Sequence, residues 1–213
     1  LQNNVSGIAN TSVGYSSLVN NGGSSNTAVG YNALLGPTYS NNSALGSNAL
    51  KQLATGGDNT ALGSNSSYAI AIGNYNTSIG SSALYNLGIG DNNISIGYRS
   101  LYNSLIANNN IAIGSNSLYS LGTGDYNLAI GANSCYASTG ASYNIGIGYN
   151  SLYSNTTGGF NLAIGHQSSN ANTTGTNNIS IGYRSLFFNT TGSYNLALGA
   201  NTLSNNIASY NIG

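Results

Sequence analysis

Few residues of this chain could do chemistry. Its 213 residues include one His, one Cys, three Asp and three Lys or Arg, so charged residues make up 3%, against about 25% in an ordinary soluble domain. His166 has no Cys, Glu or second His nearby in sequence, and a zinc site needs several such ligands. It reads as an exposed substitution. Cys135 would be a nucleophile only beside a base. No base is evident next to it, and its position suits a small buried hydrophobe. Asp91 and Asp125 follow glycines, but the repeated acidic ligands of calcium-binding rolls are missing. Gly-x-Gly at 88–90 and 122–124 is followed by neither a helix nor Gly-Lys-Ser/Thr, which a phosphate loop requires. The sequence therefore predicts no catalytic residue, no metal and no cofactor, and a protein that is not an enzyme.

Partners are bounded in the same way. Lys51, Arg99 and Arg184 balance Asp58, Asp91 and Asp125. Three scattered cations cannot build the basic field that a nucleic acid needs. No apolar run approaches the roughly 20 residues that span a bilayer, so direct membrane insertion is not expected. The opening residues Leu1-Gln2-Asn3-Asn4 lack a charged signal region, as expected of a processed product or a fragment. Sequons at Asn4, Asn65, Asn155, Asn172 and Asn189 invite glycosylation in a secreted eukaryotic setting.

What must position these groups is a repeat. Asn-x-(Ala/Ser/Gly)-(Ile/Leu/Val)-Gly closes at Gly14, Gly30 and Gly46, then every 17 residues from Gly63 to Gly199. With that glycine as position 0, position −4 is Asn throughout: Asn10, Asn26, Asn42, Asn59, Asn76, Asn93, Asn110, Asn127, Asn144, Asn161, Asn178 and Asn195. Position −1 is always aliphatic, −2 always Ala, Ser or Gly, +3 always Ser, Ala or Thr, and +4 mostly Leu. Both runs between glycines are too short for ordinary helices, and the one before position 0 alternates large and small residues with period two. Residues 1–213 are therefore read as a single all-β domain, a parallel β-solenoid flattened into a two-sheet roll of about twelve 16–17-residue coils, cut within a repeat at both ends.

A solenoid explains the composition. Residues of one phase stack about 4.8 Å apart, where like charges would repel by roughly 0.9 kcal/mol even in bulk water. Neutral amides can instead hydrogen-bond along the stack, so the Asn row is read as a structural ladder. The −1 aliphatics, with Leu at +4, are expected to fill a dry interior. The small −2 and +3 residues are expected where another backbone comes close, in the opposite sheet or in a neighbouring chain. Position −3 changes from Thr or Ser (Thr11, Thr27, Ser43, Thr60, Thr77) to Ile or Leu from Ile94 onward, and is read as a candidate subunit interface rather than the deepest core. At +5 a stripe runs Tyr68, Tyr85, Tyr102, Tyr119, Tyr136 and Tyr153. Stacked rings could close a corner of the roll, or the stripe could dock a glycan or a neighbouring fibre.

Asn-Thr-Ala-Val-Gly-Tyr-Asn-Ala at 26–33 and Asn-Ile-Ser-Ile-Gly-Tyr-Arg-Ser at 93–100 resemble the head repeat of YadA-like trimeric autotransporter adhesins. The stretch Thr-Thr-Gly-x-x-Asn-Leu-Ala-Ile-Gly at 156–165 is also similar to tail-fibre repeats of phages and large viruses. The resemblance implies a left-handed roll, three chains side by side, and a place on a cell surface or virion fibre. The expected function is a rigid extracellular spacer and contact surface within a trimeric adhesin or tail fibre. The alternative is a filament subunit stacking end to end. Expected partners are other copies of the chain, as a homotrimer or filament, and a host-surface glycan or protein. Two rivals come from other classes. Ice binding would need a Thr array, but the −3 Thr row stops after Thr77. A glycan depolymerase would need a carboxylate pair.

Overall fold

The computed structural model describes residues 6–20, 22–36 and 39–213, so the sequon at Asn4 lies outside the described residues. Among them there is no helix. Short parallel strands recur 16 or 17 residues apart and pair in register, Thr11 beside Thr27 and Thr60 beside Thr77. The fold is a parallel β-solenoid. By its contacts the chain divides into two compact units, Leu1–Asn108 and Asn109–Gly213.

In the first unit, the strands Thr11–Val13, Thr27–Val29, Ser43–Leu45, Thr60–Leu62, Thr77–Ile79 and Ile94–Ile96 are successive neighbours in a main sheet. A second sheet contains Gln52–Thr55, Ala69–Ile72, Asn86–Ile89 and Asn103–Ile106. In the second unit, Ile111–Ile113, Leu128–Ile130, Ile145–Ile147, Leu162–Ile164, Ile179–Ile181 and Leu196–Leu198 are likewise successive neighbours. There the opposite wall is irregular but still bonds from coil to coil: Thr139 N–H donates to Thr156 at 3.0 Å, and Thr156 N–H to Thr173 at 2.9 Å.

Each coil turns its first corner between 0 and +4 and its second between −7 and −5. The position-0 glycines have φ between +116° and +140°, a region that only glycine enters freely. A Cβ on Gly63 would also lie 2.6 Å from the carbonyl oxygen of Gly80 one coil on. Steric necessity therefore keeps this position glycine.

The interior differs from the sequence expectation in one row. The −1 aliphatics face outward: Val13 is 58% exposed, Leu45 49% and Leu198 53%. A three-residue strand with period two points only its middle residue inward, and that residue is −2. Ala28, Ala129, Ala163 and Ser180 at −2 are wholly buried, as are Leu18, Leu118 and Leu152 at +4. The narrowness of the roll explains the small side chains: a Cβ on Gly146 would lie 2.6 Å from Cys135 Sγ and 2.7 Å from Ser134 Oγ. The close backbone expected at −2 and +3 is thus the opposite wall of the same roll, where Ser134 Oγ donates to the Gly146 carbonyl at 2.8 Å. Position −3, as expected, is not core, and Ile94, Ile145 and Ile179 are 36–39% exposed.

Candidate functional site

The −4 asparagines sit where the second corner enters the main sheet. The backbone N–H of each donates to Oδ1 of the Asn one coil back at 2.8–3.0 Å, from Asn10 to Asn93 in the first unit and from Asn110 to Asn195 in the second. Nδ2 donates to the −7 carbonyl of the next coil, as from Asn59 to Gly73 at 2.8 Å and from Asn127 to Ala141 at 2.8 Å. Each amide therefore satisfies polar groups of a corner that no sheet ladder reaches. Asn is suited to this because one planar group both donates and accepts.

A second amide row lies inside. At +7 Leu53, Ile70, Leu87 and Leu121 are apolar, whereas three successive coils of the second unit carry Asn155, Asn172 and Asn189 there, all buried. Nδ2 of each donates to the glycine carbonyl three residues on at 2.8–3.0 Å. Asn172 Nδ2 also donates to Asn155 Oδ1 at 2.8 Å. These are three of the sequons, and their nitrogens are enclosed in the roll. Asn65 is half-buried and accepts from Asn48 at 3.1 Å. Asn-Thr-Thr-Gly recurring every 17 residues was the signal for the inner row, and glycosylation sequons share its letters. The +7 row also contains the buried polar atoms without a partner among the described residues: Ser104 Oγ, Ser138 Oγ and Asn189 Oδ1.

The +5 tyrosines stack face to face. Tyr68, Tyr85 and Tyr102 have centroids 4.9 and 5.0 Å apart, and Tyr119, Tyr136 and Tyr153 5.0 and 5.1 Å, all within 14° of parallel. Their faces are turned to one another, so a sugar would meet edges and hydroxyls rather than the open face on which it stacks. Burial, then the neighbouring Tyr68 and Tyr102, raises the Tyr85 phenol above its ordinary range. A second stack at −5 joins Tyr126, Tyr143 and Phe160 at 5.2 and 4.9 Å.

His166 is exposed and sandwiched between Tyr149 and Tyr183 at 5.2 and 5.4 Å. Cys135 is fully buried, and burial pushes its thiol up to about 12, so it carries no thiolate at neutral pH. Among the described residues no three His, Cys, Asp or Glu gather as metal ligands, and no helix is long and apolar enough to cross a membrane.

In each unit the strands that end at −1 present an exposed outer face. In the second unit its −3 and −1 rows are aliphatic in all six strands. In the first unit the −3 row is Thr or Ser until Ile94, and a shallow hollow of about 310 Å³ runs over Thr27, Val29, Ser43, Leu45, Thr60 and Leu62. No protein-family model, curated protein or solved structure matches the chain.

Proposed function

We propose that this chain is a non-enzymatic structural segment of an extracellular fibre or surface adhesin. Its copies pack side by side through the outer face of the main sheet, and the stacked coils serve as a stiff spacer. The observation that carries this reading is the double aliphatic row on that face in the second unit, which contains no charged residue. Six strands about 4.8 Å apart and two rows wide make a continuous patch of roughly 300 Å². That is the size of the largest apolar patch on a typical monomer, which is often a functional surface. The −1 aliphatics add little to the fold, since they point away from the interior, yet they recur in every coil. Covering them with other copies gives them a role. The resemblance to trimeric adhesin heads and tail fibres favours three chains.

Sedimentation velocity tests the reading. Three copies of 21.6 kDa make a particle of about 65 kDa. Ile145→Lys with Ile179→Lys places two cations on the face and is expected to yield a folded monomer. A wild-type chain that remains monomeric at all concentrations refutes side-by-side packing. Open polymers that survive the two lysines point to end-to-end assembly instead.

A further inference from the structure

The six charges are sorted by corner. In the first unit Arg99 at +2 lies on the first corner and Lys51 at +5 directly follows it, while Asp58 at −5 and Asp91 at −6 lie on the second. The second unit follows suit, with Arg184 at +2 and Asp125 at −6. One edge of each coil is therefore either neutral or cationic, and the other either neutral or anionic. Random placement would not be expected to separate all six.

Within the first unit the charges also match in height. Lys51 and Asp58 are seven residues apart, and Asp91 and Arg99 eight. At about 4.8 Å per 17-residue coil, each pair differs by only about 2 Å along the stacking direction. A chain cannot join its own pair, because the strand Gln52–Thr55 runs between Lys51 and Asp58, and Ile94–Ile96 between Asp91 and Arg99. The cations rest on aromatic rings instead. Lys51 Nζ donates to the Tyr68 hydroxyl at 3.3 Å, and the Arg99 guanidinium lies 4.9 Å from the Tyr98 centroid and 5.4 Å from that of Tyr102. The acids are held in place by amides: Asp58 accepts from Asn41 Nδ2 at 3.0 Å, and Asp91 from the Asn74 N–H at 2.7 Å and Nδ2 at 3.1 Å.

We propose that neighbouring copies of this chain pack parallel and in register, with the Lys51/Arg99 corner of one against the Asp58/Asp91 corner of the next. This rests on the side-by-side reading above and adds the orientation, register and sense of the contact. A neighbour turned end for end in the plane of the sheet would set cations against cations and acids against acids. A parallel neighbour at the same height places each cation beside an acid. Because every copy offers one corner of each kind, the contact is heterologous and closes into a ring wherever the rotation between copies allows.

Charge reversal tests the orientation, read by sedimentation velocity over a concentration series at low and high salt, with circular dichroism to verify the fold. Lys51→Asp with Arg99→Asp is expected to raise the dissociation constant at least about tenfold at low salt, from lost attraction and new repulsion summed over the ring. Adding Asp58→Lys and Asp91→Lys to the same chain restores the contact with its signs exchanged. Since Asp58 has a φ of +59°, which lysine tolerates less well than asparagine, Asp58→Asn with Asp91→Asn serves as the milder variant. It is expected to weaken assembly at low salt and to flatten the salt dependence. Assembly that ignores salt, the reversal and the neutral pair alike overturns the corner pairing and leaves face packing intact, as does a fourfold swap that fails to restore it. A monomeric wild type refutes face packing itself, and this proposal with it.

Discussion

Replacing Asn76 by Ala tests whether the −4 amides hold the coils together. Four hydrogen bonds disappear: Nδ2 to Asn59 Oδ1 at 3.2 Å, Nδ2 to the Gly90 carbonyl at 2.9 Å, and the Asn93 N–H and Nδ2 to Asn76 Oδ1 at 3.0 Å each. Two of the groups left behind retain partners, because Asn59 Oδ1 still accepts from the residue-76 N–H and Asn93 Nδ2 still donates to Ala107 at 2.7 Å. The Asn93 N–H and the Gly90 carbonyl lose theirs inside a buried corner. At about 1–3 kcal/mol for each buried group left unsatisfied, the loss is roughly 4 kcal/mol. In a stacked array this falls on the neighbouring coils rather than on the whole chain. A single melting temperature would blur it, so the assay is native-state hydrogen exchange. Exchange at the Asn93 amide is expected to quicken about a thousandfold, since each 1.36 kcal/mol is a factor of ten. The control is Asn48→Gly on the first corner, which removes two part-buried bonds, Asn48 Nδ2 to Asn65 Oδ1 at 3.1 Å and Asn32 Nδ2 to Asn48 Oδ1 at 3.4 Å, and keeps a residue suited to the φ of +56° there. It should change exchange by less than tenfold. If Asn76→Ala behaves like this control, the amide row follows the stacking and does not sustain it.

Other positions give sharper contrasts. Gly131→Ala puts a Cβ 2.7 Å from the Gly148 carbonyl oxygen at a φ of +124°, whereas Gly22→Ala meets nothing within 4 Å; the first should cost at least about 3 kcal/mol and the second less than about 0.5 kcal/mol, as read by urea denaturation. Ser104→Ala and Ser138→Ala remove buried hydroxyls that lack partners, so each should leave stability unchanged or raise it by about 1 kcal/mol; a loss of that size would reveal a partner for the hydroxyl. Cys135 should resist iodoacetamide at pH 8 until the chain is unfolded. Its thiol is raised from 9.0 to about 12 in the fold. The folded state therefore holds the proton longer, its contribution is complete below about pH 9, and it is lost as pH rises toward 12, at no more than about 1.4 kcal/mol per pH unit. Cys135→Ala should remove that part of the alkaline slope.

The period, the glycine corners and the −4 amide row could be read from the letters because each repeats one physical demand: a backbone that only glycine adopts, or a corner that only an amide completes. The orientation of the strand was harder to read. Large aliphatics at −1 look like core, and the hydrophobic pattern by itself favours that choice. What decides against it is volume, visible only once the opposite wall is known: Leu at +4, and Leu53, Ile70 or Leu87 at +7, already fill the space that −1 would need. The inner Asn155–Asn172–Asn189 row was hidden for a related reason. At the same phase it replaces apolar residues, so no single row shows a uniform character, and its letters also spell a sequon. The sorting of charges by corner was present in the phases but had no meaning until the phases had places in a coil.

The corners also explain why one coil cannot stand alone. Leu101, Leu118 and Leu152 at +4 have φ values of +46° to +48°, a left-handed conformation that costs an ordinary residue about 1–2 kcal/mol. Nothing local offsets this in leucine, which lacks the short polar side chain that makes Asn tolerant at +2 in the same corner. The compensation is burial, about 1.5–3 kcal/mol for a leucine withdrawn wholly from water, and it exists only when neighbouring coils seal the roll above and below. The strain is intrinsic to each coil while its relief belongs to the stack. Coil formation and stacking are therefore a single event, and the cooperativity of the stack follows from a residue held where its own preference would not put it.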